Sequence, residues 1–142
     1  MAGGIEGVRE LGRKLDLLPA KAAGSILRKA VRDAAKPVID AAKANIPEGI
    51  DAHKTYKGRL VAPGFAKRAI RAAVSLSKDK RAAFARIGVR REAFYAVNFV
   101  ELGTAKQAKQ PWLRPAMEDT QQEQVSRLAD RLKKEIEKVA RK

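Results

Sequence analysis

The one side chain suited to proton or metal chemistry near neutral pH is His53, the single histidine among 142 residues. A loop imidazole is a natural general base or metal ligand, but either role needs company. A base needs a nucleophile or a positioned water, and a metal needs further ligands at matched spacing. No second histidine exists, no carboxylate pair stands beside His53 at ligand spacing, and no nucleophile motif is near. His53 therefore reads as a solvent-facing loop residue. The absence of cysteine excludes a disulfide framework and a thiolate metal site. We expect no enzyme activity, no cofactor and no metal.

The remaining chemistry is electrostatic. Thirty-one Lys and Arg against 16 Asp and Glu give a net charge of +15. Between residues 54 and 91 there are 12 basic residues and one acid, Asp79. Such a block attracts phosphate backbones or an acidic protein face, and charge alone does not choose between them. The candidate docking surface is Lys54, Lys57, Arg59, Arg71, Arg86 and Arg90. Tyr56, set among Lys54, Lys57 and Arg59, could stack on a base; anchoring the loop is the preferred reading.

The elements that must position these groups follow from periodicity. Ile5, Val8, Leu11, Leu15 and Leu18 form one stripe of a short amphipathic helix. A second helix is predicted from about Pro19 to Asn45, with Pro37 imposing a kink or dividing it in two. Residues 46–64 keep no period and read as a long loop, a class of segment that is functional or disordered. Ile70, Ala72, Val74 and Leu76 alternate with polar or small residues, as do Ala83, Ala85, Ile87 and Val89. That pattern predicts a hairpin closed by a polar turn at 78–81, with Arg71, Arg86 and Arg90 on its outer face. Phe94 to Leu102 is apolar enough for a third strand, although 95–98 could begin as a helical turn. Val125, Leu128, Leu132, Ile136 and Val139 mark one long C-terminal helix with i,i+4 charge pairs on its other faces. The expected fold is α+β, with N-terminal helices, a small antiparallel sheet of about three strands and a long C-terminal helix. One domain is expected over 1–142, divided into a helical region over 1–45, the loop 46–64, the sheet 65–104 and the helix 111–142. The apolar runs fall far short of the ~20 residues that span a bilayer. The first ten residues do not read as a secretory signal.

The most distinctive stretch is Phe94 to Ala116, which carries the only Trp. Gly103 permits a positive φ or a close backbone approach, and Thr104 can bond its local backbone. Pro111 and Pro115 restrict the residues around Trp112 and Leu113. Arg114 is placed to reach Glu101 or a neighbouring subunit. Trp112 and Glu101 either close the subunit's own core or face a neighbour.

Tyr95, then Phe99-Val100-Glu101-Leu102-Gly103-Thr104, then Pro111-Trp112-Leu113-Arg114-Pro115-Ala116 resembles a family of tail-completion, minor tail and neck proteins of long-tailed bacteriophages. Leu102 and Trp112 stand where that family usually has Phe. The resemblance implies a structural subunit made in the host cytoplasm and built into the virion. It also implies a homo-oligomeric ring, a hexamer being favoured, between the head–tail connector or stopper and the tail tube protein. No membrane contact is implied. The basic block would then meet an acidic partner face in preference to the passing DNA, since a strongly basic lumen would hold DNA by many phosphate contacts. The alternative is a basic nucleic-acid-binding protein that uses residues 54–91. If the 46–64 loop orders only on contact with the next ring, the free protein will be largely monomeric and limited proteolysis will cut first within 46–64. A free monomer resistant there would remove the ordering idea.

Overall fold

The computed structural model describes residues 2–47, 53–106 and 108–141, with side chains placed for all of these except 2–6, 53, 95, 96 and 99. The order is α1 (Ala2–Asp16), α2 (Ala20–Asn45), β1 (His53–Lys54), β2 (Leu60–Val61), α3 (Phe65–Ala69), β3 (Ile70–Leu76) and β4 (Ala83–Val89). A 3-10 turn (Arg91–Ala93), α4 (Phe94–Leu102), α5 (Leu113–Asp119) and α6 (Gln121–Ala140) complete it. The class is α+β, with helices first, short antiparallel pairing in the middle and helices last.

Three expectations change. Phe94–Leu102 is the helix α4 and not a third strand, so the pairing is β1 with β2 and β3 with β4. A nine-residue apolar run carries no decisive period; here Val97 is buried, as is Ala93 four residues before it in the preceding turn. The long C-terminal helix is two helices, α5 and α6, interrupted at Thr120. The Thr120 hydroxyl donates to the Ala116 carbonyl at 2.6 Å, a side-chain bond that competes with helix continuation. The 46–64 segment is not loop throughout, because His53 pairs with Val61 and Lys54 with Leu60. Residues 48–52 lie outside those described. Of the two alternatives at Pro37, division into two helices does not occur, and α2 is one element with Pro37 inside it. Pro37 cannot donate to the Asp33 carbonyl, which removes one helical bond at that turn.

The chain gathers into two compact units, residues 1–37, 73–86 and 121–142 forming one and residues 38–72 and 87–120 the other. In the first, α1 packs on α6. Its core is Leu15, Ala23, Ile26, Ala30, Leu132 and Ile136, with Leu11, Leu18, Leu27 and Leu128 against it. The predicted stripes of both helices thus face this core in their middles. At the ends of the α6 stripe Val125 is 49% exposed and Val139 38%. Gly24 lies where a Cβ would come within 3.0 Å of the Lys80 Cβ and 3.1 Å of the Leu76 Cδ1, so the absence of a side chain lets α2 meet the β3–β4 turn. That turn is held by Asp79, whose carboxylate accepts from the Ser77 hydroxyl at 2.5 Å and the Arg81 amide at 3.1 Å.

Glu135 is buried in the same unit and surrounded by cations: Lys29 at 3.4 Å, Arg131 at 3.2 Å and Lys138 at 3.7 Å. Burial raises its pKa, but the Lys29 hydrogen bond and the nearby positive charges outweigh this and hold the carboxyl below its usual range. The Arg131 Nε and Glu135 Oε1 are close without being aligned for a hydrogen bond. Arg131 also reaches Asp33 at 3.4 Å, which itself pairs with Lys36 at 3.0 Å.

The second unit centres on Val38, Ala42, Ile46, Ile70, Val97, Trp112 and Ala116. Its side chains come from the C-terminal half of α2, the start of β3, α4 and α5.

The apolar contact of α6 with its unit gives a direct test. Leu132→Ala should lower stability by about 2–5 kcal/mol in urea unfolding, whereas Val125→Ala at the exposed end of the stripe should change it by no more than about 0.5 kcal/mol. Equal effects would show that α6 is not held by this core.

Candidate functional site

The Phe94–Ala116 motif resolves into a helix-capping clamp. α5 opens with Trp112 as its N-cap, followed by Leu113, Arg114 and Pro115. The first four N–H groups of any helix have no partner within it. Glu101, on the last turn of α4, accepts three of them: from Trp112 at 2.6 Å, Leu113 at 3.0 Å and Arg114 at 3.2 Å. The fourth does not exist, because Pro115 has no N–H. One carboxylate and one proline thus account for every donor at this end of the helix.

Burial raises the Glu101 pKa, and the three amide donors together with the Arg114 charge more than reverse that, leaving the carboxyl below its ordinary value. Of the two alternatives for Arg114, Glu101 or a neighbouring subunit, it meets Glu101 within the chain, through its backbone amide. Its guanidinium Nε lies 3.9 Å from Glu118.

The clamp sets Trp112. Its ring is 3% exposed in the second unit's core, its indole N–H points to the Val97 carbonyl at 3.4 Å, and its own carbonyl accepts from the Asn45 amide at 3.3 Å. The connection from α4 to α5 is drawn in by a bond from the Gln110 amide to the Val100 carbonyl at 2.7 Å.

Gly103 ends α4, not a strand, with φ 76. It is constrained twice, since a Cβ there would sit 2.9 Å from the Lys109 backbone nitrogen. The Thr104 hydroxyl accepts from the Lys106 amide at 3.3 Å. Tyr95 and Phe99 belong to α4, and their side chains lie outside those described. Leu102 is 70% exposed. Within the subunit, Glu101, Gly103, Trp112 and Pro115 build the fold.

The basic residues separate into two groups. Lys54, Lys57, Arg71 and Arg86 are exposed on the two hairpins. Tyr56 is also exposed, with the Lys57 ammonium 5.8 Å from its ring centre, so it does not anchor the loop in the core. The small hairpin is closed by Thr55, whose amide donates to the Arg59 carbonyl at 2.8 Å, and by Gly58 at φ 80.

Arg59 and Arg90 instead line a half-open cleft of about 440 Å³ in the second unit, together with Arg68, Phe65, Leu60 and Glu92. Arg59 holds Glu92 with two bonds, 3.2 and 2.8 Å long, and its guanidinium lies 5.6 Å from the Phe65 ring centre. Arg68 donates to the carbonyls of Pro63 at 2.7 Å and Ala62 at 3.2 Å. The Arg90 amide bonds to the Ala69 carbonyl at 3.1 Å, bringing the exit of β4 against α3. The roles of Arg68 and Phe65 and the Arg59–Glu92 pairing, 33 residues apart, have no sequence signal.

Among the described residues no three His, Cys, Asp or Glu side chains group as a metal site, and no helix is long and apolar enough to cross a membrane.

A family model described as "Bacteriophage HK97-gp10, putative tail-component" matches residues 9–103, two-thirds of the chain. The chain belongs to this family. It is an HK97-gp10-like structural tail component of a phage. The match takes in the basic cleft and Glu101 and stops before Pro111–Ala116. No curated protein and no solved structure matches the chain.

Acid titration tests the clamp. The folded-state pKa of Glu101 is depressed, so its stabilisation is present above the unfolded carboxyl value and is lost as pH falls through the lower folded value. Glu101→Gln should cost about 1–2 kcal/mol at pH 7, and the wild-type and variant urea midpoints should converge below a pH of about 4. A gap unchanged at low pH would mean that the ionised carboxylate is not what caps α5.

Proposed function

We propose that this HK97-gp10-like protein is a tail-completion or neck subunit that self-assembles as a ring, a hexamer being favoured, and joins the head–tail connector or stopper to the tail tube. The observation that carries this reading is the family match. The structure agrees with an assembly role. Glu101 and Trp112 of the central motif are spent on capping and core packing, and the exposed cations and the cleft are surface that a neighbour could meet. In this reading the 54–91 cations meet an acidic protein face, and the protein resides in the neck or tail of the virion.

Lys54, Lys57, Arg71 and Arg86, all exposed, favour a second reading, in which the chain binds nucleic acid by phosphate contacts. That mode would make affinity fall steeply with salt.

Electron microscopy of the protein co-expressed with the tail proteins of its own phage separates the two. Rings capping tail tubes are expected. Absence of rings, with tight salt-sensitive duplex binding, would replace the neck reading with the nucleic-acid one.

A further inference from the structure

We infer that the cleft formed by Arg59, Phe65, Arg68 and Arg90 receives the acidic end of α5, Glu118 and Asp119, from a second copy of this chain. The inference rests on the ring reading above and names its contact.

The cleft defines what it can hold. Arg59 is already neutralised by its two bonds to Glu92. Arg68 spends its guanidinium on two neutral carbonyls, which position it without cancelling its charge. Arg90 is exposed at the same cleft, and Leu60 offers an apolar rim that is 67% exposed. The complement is a pair of carboxylates beside an apolar side chain.

Several acids of this chain are already committed. Glu101 caps α5, Glu135 and Asp33 are held among cations, Asp79 closes a turn and Glu92 already belongs to the cleft. Glu118-Asp119 is the only pair of adjacent acids in the sequence. Both are exposed, and Met117 beside them is 42% exposed. Glu118 touches Arg114 only at 3.9 Å. Neither acid lines the cleft of its own chain, so meeting a cleft requires another copy.

A contact between two different surfaces of identical chains is heterologous. It propagates head to tail and closes into a ring when the rotation permits. The overall charge of +15 opposes association, but at about 0.15 M salt charges more than about 8 Å apart are largely screened, so the local match decides.

Charge reversal tests this in the co-expression assay. Arg68→Glu with Arg90→Glu, and separately Glu118→Lys with Asp119→Lys, should each reduce the yield of rings by about tenfold or more. The two altered chains expressed together should form rings again, since each supplies what the other's reversed surface needs. So should one chain carrying all four changes. Restoration also shows that the variants fold.

Rings that survive either reversal, or that no combination restores, would overturn the contact and leave the ring reading standing. Loss of rings with the cleft variant alone would mean that the cleft holds a different acidic partner. Loss of duplex binding in that variant while rings persist would assign the cleft to nucleic acid. A wild-type chain that forms no rings would overturn the ring reading, and this contact with it.

Discussion

The second unit depends on one carboxylate. Trp112 sits in its core at the residue where the chain turns into α5, and a helix start leaves donors with no partner inside the helix. Glu101 satisfies Trp112, Leu113 and Arg114 at once, and Pro115 removes the remaining donor. The carboxylate is thereby tied to the end of α4, whose exit must double back through Gly103. Cap, proline, glycine and buried indole form one device, and losing any member leaves the others with unsatisfied donors or a displaced ring.

The first unit is held differently. Its core is aliphatic and thin, built from Ala, Leu and Ile on three helices, with Glu135 buried among Lys29, Arg131 and Lys138. An ion cluster of this kind is costly to desolvate and adds little net stability, but removing one partner leaves buried charge uncompensated. It therefore discriminates between packings more than it strengthens one.

What could be read from the residues in order was whatever repeats. The α1, α2 and α6 stripes and the alternation in β3 are periodic and appear where expected. α4 was illegible because FYAVNFVEL is largely apolar with no decisive period, and burial of Val97 marks a face that turns inward. The β1–β2 ladder is two residues long, too short to carry an alternation. Trp112 was open to either a core or a contact role, and its burial places it in the second unit's core. The clamp itself was hidden, because a side chain that bonds three backbone amides 11 to 13 residues away leaves no mark on residue type at the receiving end. The cleft was hidden for the same reason, since Arg59, Arg68 and Glu92 converge only after folding.

The packing of α1 on α6 carries a consequence for how the protein is made. A ribosome delivers α1 before α6, so α1 has no finished docking surface until α6 has emerged. The contact closes a loop of about a hundred residues, the slow kind of closure in folding. A prematurely terminated chain would retain the basic cleft yet lack the helix that completes the first unit. The first unit is thus complete only once α6 has been made and has found α1.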